Sequence, residues 1–449
     1  MDQRASSPPA QSPKLLKILG VTFGIAVTVG SMIGLGILRT PGLVATQLPY
    51  IEAIFTIWII GAVYALLGTF ASAELGSSIP RSGGWYAFTR RAMGEYPAFL
   101  IGWMDWIAFP IGLAATAITI GEYASTVTPF FAGKESFLAL ATTVGLAAIN
   151  WIGLRAGSRM QEITSFAKAA LFLVIIGAFL ILGSGSSAGT AVEQSIPMPL
   201  GLMATLGAAV IALQGVIYTY DGWQNAAYFS EENDDPARSL PRAMISGVLL
   251  VAVIYLLVNL ALLYVLDVAQ LANSALPAAD AADIVFSSYG KPVVTIVAIV
   301  SLLSIMNSSI LIAPRILFAL SRDGLFVARG MDVNEGGTPA FALAITVVGT
   351  MLLILVGSFE TLLAMSAFMY VTSYLSGFVS LILLRRNEPD LHRPFRMPLY
   401  PWSAIILLIA SVAFLVGMVI NDTVNAAYAL VLMFLTYPCY RILKRMRPD

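Results

Sequence analysis

The sequence has few charged residues, a single cysteine and a single histidine. Only 11% of the 449 residues are charged, whereas soluble domains contain roughly 25%. Cys439 alone cannot build a disulfide framework or a thiolate metal site, and His392 alone leaves little material for a Ser-His-Asp triad. The formal net charge is zero, which argues against a nucleic-acid partner. We therefore predict no enzyme activity, no metal site and no cofactor.

Hydrophobic residues make up 58% of the chain and gather in long runs. A membrane span needs about 20 mostly apolar residues. We predict an all-α membrane protein with twelve transmembrane helices. The first run is counted as a span because it is too long for the core of a signal peptide. The spans lie at 15–43, 49–78, 95–128, 136–153, 159–183, 200–230, 240–267, 291–320, 338–357, 360–385, 400–421 and 424–443.

Basic residues orient this layout, because cytoplasmic loops carry an excess of Lys and Arg. With a cytoplasmic N-terminus, only Arg39, Lys134 and Lys291 fall on the outer side, and Lys168 lies within a span. If one span were missed or added, the Lys and Arg residues would be distributed over both sides of the membrane. We therefore predict a multi-pass protein of the cell inner membrane with both termini in the cytoplasm.

Two of the hydrophobic runs are interrupted in the middle. Residues 30–36 contain three glycines, each of which costs a helix about 1 kcal/mol relative to alanine. The run around residues 218–223 is interrupted by Asp221 and Gly222. Unwound backbone at membrane depth must line a protein cavity, and paired breaks indicate a transporter binding site. Gly30 and Gly34 alone would also fit close helix packing.

The breaks fall in spans one and six, which places five spans in each of two repeats. Because five is odd, the second repeat must cross the membrane in the opposite sense, as in inverted-repeat transporters. We predict a cytoplasmic tail at 1–14, a first repeat at 15–183, an outer loop at 184–199 and a second repeat at 200–385. Two extra helices and a cytoplasmic C-terminus follow at 386–449.

Five ordered motifs resemble the amino acid–polyamine–organocation (APC) superfamily, and within it the bacterial relatives of the L-type amino acid exchangers. The resemblance implies a LeuT-like fold with discontinuous helices 1 and 6. The matching residues are Gly30, Gly34, Gly36, Ile37 and Pro41; Ala73-Glu74-Leu75-Gly76 with Pro80-Arg81-Ser82-Gly83-Gly84-Trp85-Tyr86; Tyr220-Asp221-Gly222-Trp223 with Glu231-Glu232, Pro236 and Leu240-Pro241-Arg242-Ala243; Ala319-Leu320-Ser321-Arg322-Asp323-Gly324; and Leu384-Arg385-Arg386 with Arg393-Pro394-Phe395.

A free amino acid needs one partner for its carboxylate and another for its ammonium group. The N-terminus of a half-helix offers unpaired N–H groups to an anion, and glycine permits close approach. The resemblance likewise implies that the amides of Gly34, Leu35 and Gly36, with the Ser31 hydroxyl, hold the carboxylate. The carbonyls of Met32, Tyr218, Thr219, Tyr220 and Asp221 would hold the ammonium group.

Side chains near the breaks have alternative roles. Tyr218 lies where related exchangers have an aromatic outer gate, although an interfacial aromatic is the alternative. The Thr219 hydroxyl could bond to a substrate. Asp221 either contributes to the site or caps the following half-helix. By alignment, side-chain selectivity would come from spans three and ten, around Ala114, Ala115, Phe368 and Tyr370.

Lys168 is the most informative charge in the sequence. It lies nine residues beyond Arg159, or ~13 Å along a helix, so it either has a function or reaches back to the membrane surface. In the related transporters a lysine at this place fills the position of a sodium ion, bridging span five to the unwound part of span one. Tyr255 aligns with a tyrosine that supports the lysine.

Together these features predict sodium-independent exchange of neutral L-amino acids by alternating access. A proton-coupled importer is the alternative, and a cationic amino acid or polyamine antiporter is a third reading. Some eukaryotic relatives join a heavy chain through a cysteine after span three, but residues 129–136 contain none. We therefore expect a monomer in the lipid membrane without a disulfide-linked partner. Asp105 and Glu122 have no assigned role.

Overall fold

The computed structural model describes residues 15–183, 185, 201–356, 359–421 and 423–446. The predicted tail at 1–14 and, apart from residue 185, the predicted outer loop at 184–199 lie outside these residues. The described residues form sixteen α-helices and no strand beyond two isolated bridges. The helices are α1 (Val21–Met32), α2 (Gly36–Gln47), α3 (Ile51–Ser78), α4 (Trp85–Met93), α5 (Glu95–Val127), α6 (Glu135–Ile152), α7 (Leu154–Leu182), α8 (Leu202–Thr219), α9 (Ser239–Val265), α10 (Val268–Asn273), α11 (Pro277–Phe286), α12 (Gly290–Arg322), α13 (Ala340–Val356), α14 (Phe359–Asn387), α15 (Trp402–Asn421) and α16 (Thr423–Met446).

Most of these helices match the dimensions of a membrane. Within the described ranges, nine are long and apolar enough to cross it, taking α11 and α12 together, and the bent pair of α1 and α2 makes a tenth. Two shorter apolar helices, α8 and α13, lie at predicted spans six and nine. The prediction of an all-α membrane protein is confirmed, and the count of twelve spans stays a prediction. Helices α4, α10 and α11 lie between predicted spans.

The first break separates α1 from α2. Helix α1 ends at Met32 and α2 begins at Gly36, and their axes differ by 47°. The helical part begins later than predicted, because residues before Val21 are extended. There, the backbone N–H groups of Ile18 and Leu19 donate to the Glu232 carbonyl, at 3.1 and 3.0 Å. This contact fastens the start of the first span to the segment that follows the sixth.

The second break ends α8 at Thr219. The segment that follows is a 3₁₀-helix at Asn225–Phe229, where a second α-helical half was predicted. Gly222 explains part of the difference, because its φ is +106° and a Cβ atom there would lie 2.8 Å from the Ser31 Cβ. Only glycine tolerates both the conformation and the approach. The two breaks therefore touch each other at Gly222 and Ser31.

Ion pairs close the end of the bundle at which α1 begins, here called the α1 end. Glu232 pairs with Arg315, and both side chains are buried. Glu74 on α3 pairs with Arg385 of α14 at 2.5 Å and with Arg393 at 3.3 Å. Glu74 and Arg385 belong to different predicted repeats, whereas Glu232 and Arg315 both belong to the second. The α1 end is therefore fastened by ion pairs both between the predicted repeats and within the second one.

An aromatic cluster lies between these ion pairs and the breaks. The Trp223 ring stacks on Phe378, with centroids 6.2 Å apart, and contacts Trp85 edge-on at 6.1 Å. The Tyr374 ring lies 5.3 Å from Trp223. Trp85 and Trp223 are almost completely buried. The cluster fills the interior on the α1 side of the second break.

Candidate binding site at the two helix breaks

A cavity of about 350 Å³ lies between the two breaks. It is lined by residues of α2, α5, α8, α12 and α14 together with the unwound segments. Ten residues predicted for the site line it, namely Ser31, Met32, Gly34, Leu35, Gly36, Ala115, Tyr218, Thr219, Asp221 and Tyr370. The fold therefore brings most of the predicted residues to one space of a size suited to a small solute.

The N-terminus of α2 forms one wall of the cavity. Gly36 is the first residue of the helix, so its N–H and those next to it have no partner within the helix. The same glycines also pack closely: a Cβ at Gly36 would lie 2.8 Å from the Thr219 Oγ1, and one at Gly34 would lie 2.8 Å from the Ile305 Cδ1. The glycines thus permit close packing and leave the backbone N–H groups at the start of α2 accessible from the cavity.

Lys168 is fully buried and joins α7 to the first break. Its Nζ donates to the carbonyls of Gly30 at 2.6 Å and Ile33 at 2.7 Å, and to that of Ser301 at 3.4 Å. Three carbonyl dipoles therefore surround the ammonium group where the helix is unwound. The side chain points toward these carbonyls in the interior of the protein, so it does not reach back to the membrane surface.

Tyr255 on α9 fastens the two breaks to each other. Its hydroxyl lies 2.7 Å from the Met32 carbonyl and 3.0 Å from the Thr219 carbonyl. The hydroxyl thus contacts backbone of both breaks, and it acts on the same unwound segment as Lys168 without bonding to that lysine in the described structure. Three of the carbonyls predicted for a substrate ammonium group, those of Met32, Tyr218 and Thr219, already have a donor within hydrogen-bond distance.

Asp221 is held by a chain of polar side chains. Its carboxylate accepts a hydrogen bond of 2.6 Å from the Tyr374 hydroxyl, which in turn accepts one of 2.8 Å from the Gln224 amide. The following 3₁₀-helix has Gln224 as its N-cap residue and no side-chain cap. Capping of an α-helical half by Asp221 is therefore wrong, because that half does not form.

Tyr218 and Thr219 differ in how much freedom they have. The Tyr218 side chain is 42% exposed and lines the cavity. Thr219 also lines it, but its hydroxyl donates to the Gly215 carbonyl at 2.8 Å and lies 2.7 Å from the Thr40 hydroxyl. Tyr218 is thus placed where an aromatic gate could move, and Thr219 can only accept a further hydrogen bond.

Three of the predicted residues, Tyr220, Phe368 and Ala114, do not line the cavity. Tyr220 is fully buried, and its ring packs against Trp58 and Tyr255 at centroid distances of 5.8 and 4.9 Å. Phe368 is 5% exposed and belongs to a separate apolar core. Ala114 lies in that core as well, whereas Ala115 lines the cavity. The side chains of Tyr220 and Phe368 are therefore packing residues.

Several residues that line the cavity were not predicted from the sequence. One face of α5 contributes Phe109, Gly112, Thr116 and Thr119, and α2 contributes Arg39. Their spacing of three or four residues is that of one helical face. The run of small and hydroxyl residues at this spacing was a usable signal. Arg39 was noted only as an exception to the charge pattern.

Asp105 lies one helical turn before Phe109 on α5. It is fully buried, and its Oδ2 accepts a hydrogen bond of 2.6 Å from the Tyr228 hydroxyl. Its Oδ1 has no hydrogen-bond partner among the described residues. A buried acid of this kind inside a membrane protein is expected to be functional or closely compensated.

Comparison with known proteins identifies the family. Residues 20–436 match the family model described as amino acid permease. The chain is 28% identical to the serine/threonine exchanger SteT of Bacillus subtilis (strain 168) over 441 residues, which cover 96% of this chain and 98% of the relative. It is 29% identical to b(0,+)-type amino acid transporter 1 of Homo sapiens over 402 residues, which cover 87% and 81%.

A third relative is the large neutral amino acids transporter small subunit 2 of Mus musculus. It is 27% identical over 438 residues, which cover 95% of this chain and 81% of the relative. The chain belongs to the amino acid permease family, and the predicted resemblance is confirmed. It is therefore a multi-pass amino acid transporter and not an enzyme.

Proposed function

We propose that this chain exchanges neutral L-amino acids across the cell inner membrane without sodium. Similarity over almost the whole length to a serine/threonine exchanger and to a large neutral amino acids transporter supports the substrate class. The observation that carries the proposal is the buried Lys168 ammonium group on the carbonyls of Gly30 and Ile33. A fixed cation at this point does by electrostatics what a bound sodium ion would do.

The proposed layout has twelve spans in two inverted repeats of five, at 15–183 and 200–385, followed by two further helices. The bent pair of α1 and α2 and the interrupted span at α8 support the pairing of breaks. Both termini lie in the cytoplasm in this proposal, so the α1 end faces the cytoplasm. The transporter acts as a monomer and needs no disulfide-linked partner.

The amino acid lies across the two breaks. Its carboxylate accepts hydrogen bonds from the N–H groups of Gly34, Leu35 and Gly36, where the N-terminus of α2 favours negative charge. Its ammonium group donates to carbonyls near Tyr218 and Asp221. Tyr370 and the exposed face of α5 contact the substrate side chain.

Alternating access follows from the unequal closure of the two ends. The ion pairs at Glu232 and Glu74 and the cluster around Trp223 separate the cavity from the α1 end. Tyr218, at the end of α8, lines the cavity and is partly exposed. Tyr218 therefore closes over a bound substrate, after which the ion pairs open toward the cytoplasm.

Proteoliposomes test this proposal directly. Uptake of radiolabelled serine is measured into vesicles that contain either unlabelled serine or none, in sodium and in choline buffers. We expect fast uptake only into the loaded vesicles, with the same rate in both buffers. Equal uptake into empty vesicles, or a requirement for sodium, would contradict exchange without sodium. A competition screen of all twenty amino acids in the same vesicles defines the substrate range.

The alternative of a proton-coupled importer is favoured by one observation, the buried Asp105. No Lys or Arg among the described residues forms an ion pair with this carboxyl group, which accepts a hydrogen bond from Tyr228. A proton-coupled importer would accumulate amino acid in empty vesicles when an inward proton gradient is imposed. The Asp105→Asn variant would lose that accumulation and keep exchange.

Orientation is tested separately from transport. Single cysteines at Lys134 or Lys291, in a Cys439→Ser background, should react with an impermeant maleimide added to intact cells. Cysteines at Arg242 or Arg386 should react only after the cells are opened. The reverse labelling pattern would overturn the proposed layout. The assignment of the inner and outer gates would then be reversed.

A further inference from the structure

One charged side chain in the cavity wall forms no ion pair within the described part of the chain. Among the residues that line it, only Arg39 and Asp221 carry a charge. The Asp221 carboxylate is bonded to Tyr374. Arg39 is exposed, and within the described residues it forms no ion pair. No carboxylate among the described residues neutralises this guanidinium group, so its counter-ion can come from solvent or from what enters the cavity.

The position of Arg39 on α2 places it beside the proposed carboxylate site. It follows Gly36 by three residues, so both lie on one face of the helix. The rise between them is ~4.5 Å, and an arginine side chain is long enough to extend from there into the cavity. The N–H groups at the start of α2 and the Arg39 guanidinium are therefore two groups on one wall that attract anions.

Three of the hydroxyl groups around the cavity have no proton left to donate. The hydroxyls of Thr116 and Thr119 donate to the carbonyls of Gly112 and Ala115, at 2.8 and 3.0 Å. The Ser309 hydroxyl donates to the Ile305 carbonyl at 3.0 Å. A hydroxyl has one proton to donate, so these side chains can act only as acceptors. Arg39 has five donors and is always charged.

We propose that Arg39 forms a second anion subsite, through which the cavity also accepts amino acids whose side chain ends in a carboxylate, such as aspartate and glutamate. The α-carboxylate binds at the start of α2, and the side-chain carboxylate binds the guanidinium group. This inference rests on the proposed amino acid exchange and extends its substrate class. Exchange of an acidic for a neutral amino acid would move one negative charge and respond to the membrane potential.

Matched pairs of ligands test the subsite, because aspartate and asparagine differ in charge but hardly in size. Affinities of both are measured by thermal-shift titration for wild type, Arg39→Gln and Arg39→Lys. Wild type should bind aspartate about tenfold more tightly than asparagine, as expected for one hydrogen-bonded charge pair. This ratio should fall to about one in Arg39→Gln and stay above one in Arg39→Lys. Glutamate and glutamine provide a second pair.

Lys134→Gln is the matched control. Lys134 is also a cation predicted on the outer side, but it lies over the Phe130 ring and away from the cavity. Its loss should leave the aspartate-to-asparagine ratio unchanged, whereas an effect equal to that of Arg39→Gln would assign the preference to overall surface charge and overturn the proposal.

Other outcomes separate this proposal from the proposed function. If wild type binds asparagine as well as aspartate, the subsite does not exist, even if Arg39→Gln fails to fold. If Arg39→Gln loses both ligands in equal proportion, Arg39 binds the α-carboxylate or supports the fold, and the proposal is overturned. If no amino acid, neutral or acidic, binds or exchanges in wild type, the proposed exchange itself fails.

Discussion

The two helix breaks are built in different ways. The first is fastened at its carbonyl side by groups from other helices, because Lys168 of α7 bonds to Gly30 and Ile33 and Tyr255 of α9 bonds to Met32. The second shares the Tyr255 hydroxyl through the Thr219 carbonyl, and it is also fastened at a side chain, the Asp221 carboxylate, by Tyr374 of α14. The chain resumes as an α-helix after the first break and as a 3₁₀-helix after the second.

These different contacts suggest that the two breaks have different roles in the conformational change of transport. A buried ammonium group is costly to desolvate, and it is stable here only because three carbonyls surround it. Moving the first break would leave that charge without partners, so we expect this break to stay rigid. Tyr218, next to the second break, is 42% exposed. We expect the conformational change of transport to begin there.

The largest effect is expected at Lys168. The Lys168→Ala variant removes the ammonium group from the first break and leaves three buried carbonyls without their donor. We expect exchange to fall by more than tenfold while the protein still purifies as a single species. The measurement is serine exchange in proteoliposomes, with size-exclusion chromatography as the test of folding.

Lys291→Ala is the control for this variant, because Lys291 is exposed and pairs with Asp283 at the surface. It should exchange at the wild-type rate. Normal exchange by Lys168→Ala would mean that the first break needs no cation. The contrast between the two breaks would then lose its physical basis.

A second large effect is expected at the start of α2. In Gly34→Ala the added methyl group enters the cavity wall and meets only the end of the Ile305 side chain, which can move. Gly36→Val would also displace the Thr219 backbone, so Gly34→Ala is the cleaner test. We expect the affinity for serine to fall about tenfold in a thermal-shift titration.

Gly177→Ala provides the comparison, because a Cβ atom at Gly177 has no neighbour within 4 Å. This variant should keep its affinity and its melting temperature. If Gly34→Ala binds serine as tightly as Gly177→Ala does, the N-terminus of α2 is not the carboxylate site. The glycines of the first break would then serve packing alone.

Removing single hydroxyl groups compares the breaks most directly. Tyr255→Phe takes a donor from the carbonyls of Met32 and Thr219, and Tyr374→Phe takes one from the Asp221 carboxylate. Loss of a buried donor costs about 1–3 kcal/mol. We expect Tyr255→Phe to lower the melting temperature more than the exchange rate, and Tyr374→Phe to do the reverse. Equal effects in both variants would show that the breaks are equivalent.

The sequence was sufficient to predict the break positions and the class of fold. Gly30, Gly34, Gly36 and the charged Asp221 disfavour a continuous helix whatever surrounds them, so the breaks predicted from them are present in the structure. Lys168 was identified from its depth in a span, because a charge there needs partners. The family motifs then agreed with the family match at residues 20–436.

Features that depend on helix rotation could not be predicted. Phe368 and Tyr370 are two residues apart, which places them about 200° apart around a helix. A small error of alignment therefore assigns a core residue to the cavity, or a cavity residue to the core. The lining of α5 by Phe109, Gly112 and Thr116 depends in the same way on how that helix turns toward the breaks. The 3₁₀-helix after the second break depends in part on the close approach of Gly222 to Ser31, a contact between distant parts of the chain.

The smallest effect is expected at Tyr218, and it tests whether the second break is the moving one. The Tyr218→Ala variant removes an exposed ring from the cavity wall without touching the hydrogen bonds of Lys168, Tyr255 or Tyr374. We expect the apparent KM for serine exchange to rise about threefold, with an unchanged melting temperature, because occlusion weakens while the site remains. An aromatic residue that only borders the lipid would leave both quantities within twofold of wild type. Tyr218→Phe is the control, and it should behave as wild type because the ring and not the hydroxyl closes the cavity.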